Sequence, residues 1–315
     1  VVSLLEVSGI SRDFGAVQAL CDVSFTAEAG QVVGLLGLNG AGKTTLLKII
    51  STLLLPTAGA VRLDGLDVVT QTRAVRQRLS VVFGGNRGLY GRLSGWDNAR
   101  FFGTLAGLGG RQLRSRCREA LEAVALDEVA SRAVDTYSSG MRQRLHLAIG
   151  LLTTPKLLML DEPTIGLDPV EAARLRTVVS GLAGQGPCVL LTSHYLKDIE
   201  ELASRVLILR RGRLTHNLPL GELLGQAGAA AVVTLRGRGA APHPFDAEPA
   251  SGVRMLDSAA DQPDSWVARF EIAEWDQRTL AELIRRWPDG TVTDVRVDPV
   301  DLEQVFRDLS AGAPG

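Results

Sequence analysis

The segment that most constrains this chain is Gly37-Leu-Asn-Gly-Ala-Gly-Lys-Thr44, a complete G-x-x-x-x-G-K-[ST] pattern. It follows the apolar run Gln31-Val-Val-Gly-Leu-Leu-Gly37 and precedes Thr44-Thr-Leu-Leu-Lys-Ile-Ile50. It therefore reads as a loop between a buried strand and a helix, the context the pattern requires. Gly37, Gly40 and Gly42 let the backbone around Leu38, Asn39 and Ala41 turn its N–H groups inward onto phosphates, and the helix start adds its positive dipole. Lys43 is placed to reach the β- and γ-phosphates, Thr44 to put its hydroxyl on Mg²⁺, and Thr45 to meet the α-phosphate. A glycine turn that binds nothing is the alternative, and it leaves the lysine at this position without a purpose.

Two more buried strands are expected at Lys156-Leu-Leu-Met-Leu-Asp161 and Cys188-Val-Leu-Leu-Thr192. Strand, loop and helix in alternation imply an α/β domain with parallel strands. The first of these runs ends in two acids, where an open α/β sheet places its ligand. Asp161 suits Mg²⁺, directly or through water, and Glu162 could polarise an attacking water as general base. Alone they would read as solvated acids in a turn; beside a phosphate cradle they read as catalytic machinery.

Leu4 to Phe25 carries short β-like runs, and Trp96 to Ala133 reads as helical with Leu113, Leu121, Val124 and Leu126 as core positions. Gly225 to Ala231 looks like a linker. Beyond it Trp266, Ala268, Phe270 and Ile272 alternate as a half-buried strand, and Leu280, Leu283, Ile284 and Trp287 recur at helical spacing. A last helix is expected with Asp298 as N-cap, Pro299 in its first turn, and Leu302, Val305, Phe306 and Leu309 on one face. The expected domains are 1–225 and a small α+β domain at 226–315. Cys21, Cys117 and Cys188 form no CxxC pair and read as small core residues. The net charge of −1 and the lack of a basic stripe point away from nucleic acid. No apolar run approaches the roughly 20 residues that a membrane-spanning helix needs, so any membrane role is expected to be played from the surface.

Tyr137-Ser-Ser-Gly-Met-Arg-Gln-Arg144, followed by Leu157-Leu-Met-Leu-Asp-Glu-Pro-Thr-Ile-Gly-Leu-Asp-Pro169, resembles the ABC ATPase family from about Leu4 to Leu224. The resemblance implies a P-loop cassette with a RecA-like core, an N-terminal β-subdomain and a helical subdomain at about 86–147. It implies that ATP and Mg²⁺ are bound, that ATP is hydrolysed, and that the chain works as a homodimer with ATP sandwiched between copies. By the same resemblance Phe14 stacks on adenine, and Ser138, Ser139, Gly140 and Met141 contact the γ-phosphate held by the other subunit. Asp168 falls in the loop that crosses the dimer interface, and His194 touches the γ-phosphate. His146, His216 and His243 match no family motif.

The chain departs from the family pattern in two places. Tyr-Ser-Ser-Gly-Met replaces Leu-Ser-Gly-Gly-Gln, which keeps the hydroxyl of Ser138 and the glycine at 140. Gly85 stands where a glutamine is expected, with water or Asn86 as the substitutes weighed for it. Gly88-Leu-Tyr-Gly-Arg-Leu-Ser94, Thr192-Ser-His-Tyr-Leu196 and Leu302-Glu-Gln-Val-Phe306 resemble the ABC-2 exporter branch. That branch implies a separate membrane-spanning permease as partner, a peripheral position on the cytoplasmic face of the cell membrane, and a drug, antibiotic or lipid-like cargo. An importer ATPase and a soluble ABC ATPase of translation or DNA maintenance are the competing readings. The face around Gly88 to Gly107 is where the permease is expected, although Phe101, Phe102 and Leu105 read rather as core.

Overall fold

The structure is a computed structural model that describes residues 3–85, 88–183, 186–225, 231–239, 253–262, 264–272, 277–285, 287, 291–299, 302, 303, 305 and 306. The chain divides into two compact units, Val1–Leu220 and Gly221–Gly315.

The first unit opens with an antiparallel hairpin, β1 (Leu5–Phe14) and β2 (Val17–Ala27). Next come β3 (Val32–Leu36), helix α1 (Lys43–Ile50), β4 (Ala58–Leu63), β5 (Leu66–Asp67), α2 (Thr72–Arg76) and β6 (Leu79–Phe83). Three helices follow, α3 (Gly95–Leu105), α4 (Gly110–Ala123) and α5 (Ser139–Leu151). The unit continues with β7 (Leu157–Asp161), α6 (Pro169–Ala183), β8 (Cys188–Thr192), α7 (Leu196–Leu202), β9 (Arg205–Arg210) and β10 (Arg213–Pro219). Helix α8 (Leu220–Gly225) spans the division between units.

A four-stranded sheet, ordered β2-β1-β4-β5, forms the N-terminal β-layer. The central sheet is six-stranded, ordered β10-β9-β3-β8-β7-β6. From β9 to β6 every pairing is parallel, and β10 closes the edge antiparallel to β9. Parallel sheets need both faces covered, which is why β3 and β8 are buried along their whole length and read as apolar runs, with Thr192 closing β8. Leu46, Ile49 and Ile50 of α1 enter the same core as Val33, Leu35, Met159 and Leu190. Helix α7 lies against β3 so closely that a Cβ on Gly34 would sit 2.7 Å from Ile199 Cγ2, so only glycine fits there.

The helical region is broken rather than continuous. Gly107 takes φ +88° after α3, and the chain restarts as α4 at Gly110, followed by 3₁₀ turns at Asp127–Val129 and Val134–Thr136. The expected core positions Leu113, Leu121, Val124 and Leu126 are all buried. Two starts are capped by side chains: Ser94 Oγ accepts from Asp97 N at 3.0 Å, and Ser138 Oγ from Met141 N at 3.1 Å. Asn98, fully buried, holds the turn before α3 by accepting from Tyr90 N and donating to the carbonyls of Tyr90 and Ser94.

The second unit contains β11 (Ala231–Arg238), β12 (Val253–Gln262), β13 (Ser265–Ile272), α9 (Gln277–Ile284) and β14 (Val292–Pro299). Its sheet is antiparallel, ordered β12-β13-β11-β14. Trp266, Ala268, Phe270 and Ile272 alternate into its core, where Leu283 joins them and Leu280, Ile284 and Trp287 pack partly buried. A Cβ on Gly237 would lie 2.2 Å from Trp266 Cζ2, so the indole occupies the space that a side chain there would fill. One expectation is corrected here. Asp298 and Pro299 do not cap the last helix: they end β14, paired with Val232 and Ala231 of β11, because the ladder runs to the start of β11, while Leu302, Glu303, Val305 and Phe306 are helical as expected. Leu302 and Val305 are buried as expected, while Leu309 and the expected linker residues 226–230 lie outside the described residues.

Candidate functional site

The parallel register brings four strand ends level. Phe83 pairs with Asp161, Asp161 with Thr192, and Thr192 with Leu35. The segments leaving β3, β6, β7 and β8 therefore emerge side by side at the carboxyl edge of the sheet, where such sheets bind ligands.

From β3 the chain enters Gly37–Gly42. Gly40 and Gly42 take φ +80° and +107°, and a Cβ on Gly42 would lie 2.7 Å from Ala19 O. Gly42 is also the N-cap of α1 and supplies no side-chain cap, and a helix start without a capping side chain can hold an anion. Leu38, Asn39, Gly40 and Thr44 are exposed; Ala41 is buried and Thr45 half-buried. Lys43 Nζ donates to the carbonyls of Gly37 and Leu38. Burial pulls the Lys43 ammonium below its usual pKa, and the charges of Glu162 and Asp161 act against that shift. The sequence-predicted lysine and both predicted acids thus share one electrostatic neighbourhood.

At the tip of β7, Asp161 accepts from Thr192 Oγ1 at 2.6 Å, and Gly84 N donates to the Asp161 carbonyl at 2.7 Å. Glu162 sits at φ +53°, a left-handed backbone that non-glycine residues adopt at a cost. Its N–H donates to Thr192 O at 3.0 Å, and its Oε1 lies 2.7 Å from His194 Nε2. His194 stands two residues past the end of β8 and is partly exposed, as is Glu162. A carboxylate and an imidazole in contact, beside a half-buried lysine and a glycine-bounded helix start, can hold a phosphate chain and take a proton from water.

The other predicted residues lie elsewhere in the same unit. Ser138, Ser139, Gly140 and Met141 form the start of α5, with both serines exposed. No hydrogen bond or ion pair among the described residues joins them to Lys43, Asp161 or Glu162. A Cβ on Gly140 would fall 2.1 Å from Glu171 Oε2 on α6, so this glycine is fixed by packing inside its own chain. Asp168 is exposed and caps α6, accepting from Val170 N and Glu171 N at 3.0 Å each. Phe14 ends β1 with 47% of its surface exposed and the Arg12 guanidinium 4.7 Å above its ring centre. Gly85 takes φ +97° with nothing among the described residues within 4 Å of a Cβ built on it, and Asn86 lies outside them.

Sequence reading missed Thr192, whose hydroxyl donates to Asp161 Oδ1 and accepts from Glu162 N, tying the tip of β7 to β8. The available signal was a polar Thr-Ser pair closing an otherwise apolar strand. It also placed Phe101 and Leu105 in the core, whereas they are 38% and 69% exposed. The helix buries Asn98, Ala99 and Gly103 instead, because small and polar residues allow the close approach that Leu113 makes to Gly103.

The family model described as ABC transporter matches residues 20–165. Daunorubicin resistance ATP-binding protein DrrA2 of Streptomyces coeruleorubidus is 40% identical over 315 residues, covering 97% of this chain and 94% of that protein. Daunorubicin/doxorubicin resistance ATP-binding protein DrrA of Streptomyces peucetius is 35% identical over 314 residues, covering 97% of this chain and 92% of that protein. Among solved structures, one described as the ATP binding subunit of an ABC transporter superposes with TM-score 0.63 at 30% identity, covering 72% of this chain and 94% of that one. The cbiO1 protein from Clostridium perfringens superposes with TM-score 0.67 at 23% identity, covering 71% and 91%, and shares the fold. With relatives this similar along nearly its whole length, and a glycine-rich loop with its lysine and an acid pair at one sheet edge, the chain belongs to the ABC transporter ATP-binding family of ATP-hydrolysing cassettes.

Proposed function

We propose that this chain energises a bacterial ABC-2 type exporter, binding and hydrolysing ATP as a homodimer beneath a permease carried on a separate chain. Relatives named for daunorubicin and doxorubicin resistance support a drug, antibiotic or lipid-like cargo. Among the described residues no helix is long and apolar enough to cross a membrane, which fits attachment to the cytoplasmic face through the permease. The importer reading is disfavoured by the second unit, where among the described residues the antiparallel sheet carries helix α9 and does not close as a β-barrel.

In this reading Lys43 and the amides of Gly37–Thr45 hold the phosphates, and Phe14 stacks on adenine. Thr44 and Asp161 would hold Mg²⁺: both offer hard oxygen donors, and among the described residues no three His, Cys, Asp or Glu side chains converge, so phosphate and water would complete its shell. Bound there, the cation would neutralise charge on the phosphates. Glu162 takes the proton of the attacking water, and the bond from the γ-phosphorus to its bridging oxygen breaks to release ADP and phosphate. His194 orients Glu162 and meets the γ-phosphate. The exposed start of α5, Ser138–Met141, and Asp168 serve the nucleotide and interface of the partner copy. Residues 1–225 act as the cassette and 226–315 as an accessory domain.

The single observation that carries this reading is the 2.7 Å contact of Glu162 with His194 at the sheet edge that also bears Lys43. Glu162→Gln is the test. It should bind ATP and form a stable dimer in sedimentation while turnover falls by roughly 10²–10⁴-fold, the usual share of a general base. Turnover at the parent rate would refute the assignment.

A further inference from the structure

Asp198, in the first turn of α7, is only 1% exposed, yet it is surrounded by donors. Its Oδ2 accepts from Ser193 Oγ at 2.7 Å and from Thr164 Oγ1, and its Oδ1 accepts from Arg176 Nη1 at 2.9 Å. Ser193 and Thr164 are themselves buried. Ser193 precedes His194, and its Oγ also accepts from Tyr195 N at 3.0 Å, so the turn around His194 is held on both sides. Thr164 follows Glu162 by two residues, and Arg176 lies on α6, the helix that starts directly after Asp168. Arg176 has a second anchor in Glu201.

We propose that Asp198 is a positioning residue that locks the Glu162 and His194 segments to each other and ties both to the helix behind Asp168. The ladder between β7 and β8 ends at Asp161 and Thr192, and past it one backbone bond, from Glu162 N to Thr192 O, still ties the two segments, so the bonds of the Asp198 carboxylate to Ser193 and Thr164 add the next fixed points along them. Glu162 needs such fixing most, because its left-handed backbone persists only where the surroundings over-determine it. A buried carboxylate serves because it must keep its donors: water is not at hand to replace them. Neither α1 nor the Gly37–Gly42 loop bonds to Asp198 among the described residues, so its loss should disturb the lytic geometry and leave the nucleotide cradle intact.

The proposal rests on Glu162 and His194 acting at the γ-phosphate, and the test separates the two. Steady-state turnover and affinity for a fluorescent ATP analogue are measured on the full chain for Asp198→Asn, Thr164→Val, Thr164→Ser and Glu162→Gln. In Asp198→Asn, kcat should fall about tenfold or more, since small displacements at a reacting centre cost that much. KM and analogue affinity should stay within about twofold, because no ground-state contact is removed. Thr164→Val should show the same split, and Thr164→Ser, which keeps the hydroxyl, should restore turnover. Parent kcat in both Asp198→Asn and Thr164→Val, or a shared loss of affinity and rate, overturns the proposal. Should Asp198→Asn not fold, the Thr164 pair decides alone: Val and Ser behaving alike refutes it. Full turnover by Glu162→Gln instead removes the underlying assignment, whatever Asp198 does.

Discussion

Gly84 and Gly85 are neighbours that should fail for opposite reasons, and replacing Gly84 by alanine gives the sharper result. A Cβ on Gly84 would stand 2.1 Å from the Glu162 carbonyl oxygen and 2.7 Å from Ile165 Cγ2. The first obstacle is backbone and cannot rotate away. Relief to an ordinary contact needs at least about 1.3 Å of movement between the end of β6 and the Glu162 segment, in an interior packed like a crystal. Overpacking of this kind costs about 1–3 kcal/mol. For a domain this size each kcal/mol lowers Tm by roughly 2–4 °C, so a drop of about 2–12 °C is expected. A displacement of about 1 Å at a general base can cost roughly 100-fold in rate, so turnover should fall far more than stability. Gly85→Ala meets nothing among the described residues within 4 Å, and the penalty those residues show is its φ of +97°. That variant should lose about 1–2 kcal/mol of stability and turn over close to the parent rate. Thermal denaturation and phosphate release on both variants provide the assay. Parent-like turnover in Gly84→Ala, or a larger rate loss in Gly85→Ala, would refute the reasoning.

Lys43→Ala should weaken ATP binding, since a charged contact to phosphate is worth on the order of 1.5–3 kcal/mol, and fluorescence titration with an ATP analogue would show it. His146 is pushed below its usual pKa by burial, and its Nε2 is buried without a partner. The unfolded chain takes up the proton first, so stability is whole above about pH 6.5 and declines as pH falls through the depressed folded value. His146→Phe should flatten that acid-side decline in a Tm-against-pH series. Trp266→Ala should destabilise the second unit by about 3–5 kcal/mol, and the first unit should keep its nucleotide affinity because its core is separate. A shared loss of ATP binding would count against that independence.

Sequence alone pointed to the chemistry proposed for the site. Glycines followed by a lysine after an apolar run, and acids at the end of another, are local patterns whose backbone and charge requirements are met within a few residues. The same locality made the order of strands and helices legible, because parallel strands buried on both faces leave continuous Val and Leu runs such as β3 and β8. Tertiary structure decided what depends on distant partners. Phe101 and Leu105 have the apolar character of core residues, yet the helix turns Ala99 and Gly103 inward because Leu113 needs the space. Asp298 and Pro299 look like the start of a helix, yet β11 draws them into a strand through its hydrogen-bond register. The join of Glu162 to His194, and of both segments to Asp198, exists only because β7 and β8 lie side by side in the sheet. Pairing between strands far apart in sequence leaves no periodic trace in either one, and only the folded sheet places those carboxylates, hydroxyls and imidazole within bonding distance.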